Sequence, residues 1–202
     1  MEIMDGPVAT FSEPIICRIV DFIRQIGIEV RAGEIPGPTP CPGILVEHGA
    51  LVVDETRLSF PGDLLHEAGH LAVMPPDQRP LAGRHVEAGG GEEMMAIAWS
   101  YAAALRIEID PAIVFHAGGY RGEGAGLLEN FRQGYYLAVP LLEWVGMTWD
   151  NKRAAELGVS PYPAMRRWLR ETADPDHASA LPSAQQPSDR ADERIEPEQR
   201  IG

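Results

Sequence analysis

The chain has 202 residues, 45% of them hydrophobic and 23% charged, which is enough apolar material for one globular domain with a real core. Thirty acids against seventeen bases leave a net charge of -13, with no basic patch to hold phosphates, so direct binding of nucleic acid is not expected. Two cysteines, Cys17 and Cys41, are too few for a disulfide framework, no basic and apolar leader is recognisable, and no apolar run approaches the roughly 20 residues of a membrane span; a cytoplasmic protein without a bilayer role is expected.

In chain order, Ile15 to Ile26 carries apolar residues at helical spacing, with Ser12 or Glu13 to start the helix and Gly27 to end it. Gly27 to Arg31 alternates as a strand does, and Ala32 to Pro42, with its four prolines, must be loop. Ile44 to Glu47 and Ala50 to Asp54 then read as a β-hairpin turning at His48-Gly49. After a short link, a helix is predicted to start between Ser59 and Asp63 and to run to Val73, where Pro75 and Pro76 stop it.

That helix contains His66-Glu67-Ala68-Gly69-His70. Residues i and i+4 share a helix face, so both imidazoles can reach one metal ion, and Glu67 stands beside them where a general base would be needed. Leu64, Leu65, Leu71 and Val73 flank the motif, which embeds it in a core instead of on a solvated face. Catalytic zinc takes three protein ligands and keeps a position for water, so a third ligand is required. The extended motif would need Gly and His at Val73 and Pro76, and neither fits. Asp77 lies in the proline-rich exit. Beyond a loop from Pro75 to Gly91, the stretch Glu92 to Leu105 is helical in propensity and opens with two acids, as the helix dipole favours. Glu93 shares its side with Ala96, Ile97, Ser100 and Ala104, a smaller face than the one Glu92 shares with Met95 and Trp99. Close approach of two helices therefore prefers Glu93 over Glu92 as the third ligand, with both left open.

The order helix, strand, hairpin, then His66-Glu67-x-x-His70, then Glu93-x-x-Ala96 on an Ala-rich helix resembles the ImmA/IrrE group of zinc metallopeptidases, and more broadly the zincins whose third ligand is a Glu. The resemblance covers about Ile15 to Leu105. It implies an α+β, zincin-like fold, with a small mixed or antiparallel sheet packed on the motif helix and further helices. It also implies that Ala50 to Asp54 borders a substrate cleft. The expected function is a Zn2+-dependent peptidase with Glu67 catalytic, His66, His70 and Glu93 on the metal, and a peptide or protein as substrate. Two alternatives stand beside it: an inactive zinc-binding module that engages a partner, and a metal hydrolase of another substrate class. By residue type alone, His116, Tyr120, Tyr135 and Tyr136 could supply an oxyanion donor, with His48 and His85 of similar standing.

The second half is expected to be mostly helical. A helix is predicted after Asp110-Pro111, a loop over Gly118 to Gly126, a helix from Leu127 to about Leu137, and a restart near Pro140. Two last helices are expected over Lys152 to Leu157 and Pro163 to Leu169, with Trp144, Met147 and Trp149 in a core or an interface. From Glu171 onward eight acids outnumber three bases, leaving a net of -8 on residues 1–170. This composition cannot offset ordering entropy, so residues 1–171 read as one domain and 172–202 as a disordered acidic tail.

Overall fold

The structure is a computed structural model and describes residues 11–83 and 89–172. The tail expected over 172–202, apart from Thr172, lies outside the described residues, as do His85 and Glu87.

The first helix, α1 (Pro14–Gln25), buries Ile16, Ile19, Val20, Phe22 and Ile23 on one face. Pro14 sits in its first turn, where no amide hydrogen is required. The expected caps Ser12 and Glu13 make no side-chain cap of their own. Instead the Glu55 carboxylate, from far along the chain, accepts from Ser12 N at 3.0 Å and Glu13 N at 2.7 Å, placing an anion at the positive end of the helix.

Three short strands follow: β1 (Val30–Ala32), β2 (Ile44–Glu47) and β3 (Ala50–Val53). β2 and β3 form an antiparallel hairpin with Glu47 opposite Ala50, closed by His48 at φ 52° and Gly49 at φ 78°. Two consecutive left-handed residues match the right-handed twist of the strands, and His is among the side chains that tolerate this conformation. β1 begins three residues later than its alternation suggested and pairs parallel to β3, giving a mixed sheet in the order β1-β3-β2. β3 is thus hydrogen-bonded along both edges, so the strand expected to border a cleft is the central one and has no free edge to offer a substrate strand.

The metal-motif helix is α2 (Asp63–Val73), with Leu64, Leu65, Ala68, Leu71, Ala72 and Val73 all buried. It lies against α3 (Gly90–Arg106), whose Ala96, Ala98, Ala102, Ala103 and Ala104 are buried as well. The crossing is tight at Gly69: a Cβ there would stand 3.0 Å from the Ala96 carbonyl oxygen and 3.3 Å from Ser100 Oγ. Ser100 Oγ donates to the Ala96 carbonyl at 2.6 Å and lies 3.3 Å from that of Leu65, so this buried hydroxyl is satisfied.

The carboxyl end of α2 is held from outside. Arg79 Nε donates to Leu71 O at 2.7 Å and its Nη2 to Met74 O at 3.2 Å, while the Arg170 amide donates to Ala72 O at 2.8 Å. Carbonyls that no intrahelical amide can reach are satisfied in this way, and two guanidinium charges face the negative end of the helix dipole.

The helices α4 (Gly124–Arg132), α5 (Val139–Trp144) and α6 (Asn151–Leu157) complete six α-helices among the described residues. Three expectations change here. After Asp110 there is only a 3-10 turn, Pro111–Ile113, because the Ile113 carbonyl abuts Gly62 and those of Phe115 and His116 abut Gly124. α4 starts and ends earlier than expected, since Gly134 at φ 83° closes it. No helix forms over 163–169: the amides of Arg166 and Arg167 are drawn to Met147 O, and Thr148 bridges Met165. This strand-like return brings Trp168 to the core, where its carbonyl accepts from Trp99 Nε1 at 3.0 Å and its ring meets Phe22 edge-on. Met147 is fully buried, Trp144 is exposed, and Trp149 lies under the Arg166 guanidinium. No helix among the described residues is long and apolar enough to cross a membrane.

Replacing Gly69 by Val places a branched side chain against the α3 backbone. Overpacking of this kind costs about 1–3 kcal/mol. Urea unfolding of Gly69→Val should show a loss of that order, with weakened metal retention; unchanged stability would mean that the crossing is not tight.

Candidate metal centre

α2 projects His66 and His70 from one face, and the first turn of α3 brings Glu93 to them. His66 Nε2 and His70 Nε2 are 3.0 Å apart, His70 Nε2 and Glu93 Oε2 are 3.2 Å apart, and His66 Nε2 and Glu93 Oε1 are 3.6 Å apart. Glu92, the other acid of that turn, folds back so that its Oε2 accepts from Gly89 N at 3.1 Å. Of the two acids, one caps its own helix and the other faces the histidines.

The fit of this set to a metal ion can be tested by geometry. Ligand atoms roughly 2.0–2.1 Å from a tetrahedral ion lie about 3.3–3.4 Å from one another. The separations straddle that value, each histidine being measured to its nearer Glu93 oxygen, and one ligand atom from each residue lies within 4.8 Å of the others, so the group is of a size to hold an ion. The hydrogen bonding points the same way on one side of the ring: His70 turns Nε2 toward His66 Nε2 and Glu93, while its Nδ1 is buried with no partner among the described residues and is indifferent to the ion. Two imidazole nitrogens facing each other share at most one hydrogen, a poor use of buried polar groups unless a cation lies between them. The His-His-Glu group is therefore compatible with a metal ion.

The surroundings hold the site's protonation states apart. Burial pushes His66 below the usual imidazole range and the neighbouring His70 adds to the shift, so the ring stays neutral, the form that binds metals. Glu93 is held below the usual carboxylate range, first by its bond to His70. Glu67 moves the other way: burial raises it, against a smaller lowering from Cys41. Its carboxylate is thus more basic than an exposed one. At 42% side-chain exposure against 7% for His70, Glu93 marks the side on which the site opens to solvent.

Around this centre, the structure separates the residues proposed by type. Tyr120 is brought in: its hydroxyl lies 3.3 Å from His66 Nδ1, where it can orient the ring. The backbone of Tyr120 and Arg121 is left-handed (φ 52° and 54°), a conformation that costs a non-glycine residue about 1–3 kcal/mol and persists only where packing enforces it. Here Tyr120 stacks on Phe115 and meets His66 edge-on. His116 is also close, but it is engaged: Nε2 pairs with Asp63 Oδ1 at 2.8 Å and the ring stacks on Phe60 at 3.8 Å. Tyr136 belongs to an aromatic cluster with Tyr101, Phe131 and Tyr162, while Tyr135 and His48 are exposed elsewhere.

Sequence reasoning missed Cys41, whose Sγ lies 3.2 Å from Glu67 Oε1. Burial raises its thiol far above the ordinary range, and Glu67 adds to that, so the sulfur remains protonated and donates to the carboxylate. It missed the Asp63–His116 pair too. Neither carries a periodic signal, because each joins residues that only the fold makes neighbours.

No family model, curated protein or solved structure matches this chain.

Two measurements check the site. Metal analysis after zinc reconstitution should show Glu93→Gln losing the ion and Glu92→Gln keeping it; equal retention would exclude Glu93 as a ligand. For stability, the relevant shift is that of Glu67, whose folded value lies above its unfolded one. Ionisation is then penalised in the fold as pH rises past the ordinary carboxylate range, and nothing is lost below it. Metal-free Glu67→Gln should accordingly be more stable than wild type at pH 7, and the gap should close on acidification below about pH 4. A gap of the same size at both pH values would contradict this sign.

Proposed function

We propose that this protein is a zinc-dependent metallopeptidase of zincin type, related in design to the ImmA/IrrE group. The observation that carries the reading is the pairing of two features: the convergence of His66 and His70 of α2 with Glu93 of α3, and the basic, partly buried Glu67 beside them. A metal held only for structure has no need of a carboxylate with raised proton affinity at its edge.

His66, His70 and Glu93 hold the ion. When bound there, zinc activates water and polarises a carbonyl. Glu67 takes the proton of the attacking water and hands it to the leaving amine as the peptide bond breaks. Burial suits it to the first task, because a carboxylate of higher pKa accepts a proton more readily. Glu93, on the open side, leaves room for an extended chain to approach. Tyr120 holds the His66 ring in register through its Nδ1.

A second reading is favoured by a specific feature. Tyr135, Leu137 and Trp144 expose 63%, 59% and 58% of their surface in one stretch of chain, more apolar area than a single scattered residue presents. The metal site would then support a module that binds a protein partner.

Incubating the zinc-reconstituted protein with a diverse peptide mixture, and reading new termini by mass spectrometry, separates the two. Cleavage by wild type is expected, with a loss of at least 100-fold in Glu67→Gln at equal zinc content, in keeping with the usual worth of a general base. Full metal occupancy with no cleavage by either protein would reject the peptidase and favour the partner-binding module.

A further inference from the structure

We propose that Cys41 is the positioning residue for the Glu67 carboxylate; the proposal rests on the reading of Glu67 as the general base. A glutamate on a helix has three side-chain torsions and can swing its carboxylate through several rotamers. Productive proton transfer requires one of them. Among the described residues the only hydrogen bond to the Glu67 carboxylate comes from Cys41, whose Sγ stands 3.2 Å from Oε1. With Oε1 occupied by the thiol, Oε2 is left to face the water that is to be deprotonated.

The thiol can do this because its own place is fixed. Cysteine has a single torsion, so the sulfur follows its backbone closely. The Cys41 carbonyl accepts from Ile44 N at 3.0 Å and from Thr39 Oγ1 at 2.7 Å, which ties the turn to the start of β2. One residue before Ile44, Gly43 at φ 83° lies so close to the link before α2 that a Cβ would stand 2.5 Å from Leu58 N. The turn is therefore clamped between the sheet and the segment leading to the motif helix. It delivers a donor to Glu67 from a different element than the one that carries Glu67, so the carboxylate is held from two directions.

The test uses the full chain loaded with zinc. Cys41→Ala removes the donor and should lower kcat roughly ten- to hundred-fold, the scale of a misplaced catalytic group, with KM and zinc content unchanged. Cys41→Ser restores a donor at the same backbone position and should recover most of that loss. A readout independent of hydrolysis is the S–H stretching band in the infrared. In a Cys17→Ser background Cys41 carries the one remaining thiol of the chain. Adding Glu67→Gln replaces a charged acceptor by a weaker neutral one, so the band should move to higher frequency. An unmoved band overturns the proposal, as does wild-type kcat in Cys41→Ala or a Cys41→Ser variant no faster than Cys41→Ala. Failure of the wild-type protein to cleave any peptide would instead bring down the peptidase reading and the effect on rate with it. Hydrolysis with an unmoved band would remove the positioning role alone.

Discussion

Gly69 is where α2 and α3 come close enough to bring His66, His70 and Glu93 together. With a 3.0 Å limit on any Cβ at that position, the two helix backbones approach across Gly69, Ala96 and Ser100 with almost no side chain between them. A short carboxylate on the first turn of α3 can then reach imidazoles on α2. Larger side chains at Gly69 or Ala96 would have to push the two backbones apart. The small residues that make the approach possible contribute little apolar area of their own. The surrounding Leu64, Leu65, Leu71, Trp99 and the α1 isoleucines supply it instead, so the tight seam is stabilised from its flanks.

The polar groups gathered at that seam work against the fold in the absence of a cation. His66 is forced neutral, Glu67 is held in a setting that disfavours its charge, and His70 keeps a buried nitrogen without a partner. Each is a local cost that a packed apolar core would not carry. Stored at one place, such costs are compensated by the apolar packing around them. The acidic balance of the whole chain acts in the same direction, favouring cations over anions near the opening.

Much of the architecture was legible in the sequence where local chemistry decides structure. The hairpin follows from alternation around His48-Gly49, and the length of α2 from Pro75-Pro76; the small face of the Glu92–Leu105 stretch is the face that meets α2. Legibility fails where distant segments decide. Glu55 caps a helix more than forty residues away, Met147 O captures the amides that an Arg-rich helix over 163–169 would have used, and Gly62 and Gly124 crowd the carbonyls after Pro111. Around the candidate metal centre the same division holds. His66, His70, Glu67 and Glu93 follow from helical spacing and face size, whereas the Cys41, Tyr120 and Asp63–His116 contacts span 26, 54 and 53 residues and have no local pattern. Tyr120 was named by type but not by place.

The clasp on the carboxyl end of α2 bears on how the chain acquires its shape. Arg170 meets Val73 across 97 residues, and through Arg79 it closes the same helix end. During synthesis the two histidines and Glu93 are made long before this closure can occur, and contacts of such separation form late because the intervening loop must first be closed. The nascent protein therefore passes through a stage in which both histidines exist but the carboxyl end of α2 lacks its bonds from Arg170. A chain cut short before Arg170 would lose the bonds to Ala72 and Val73 and keep only those of Arg79.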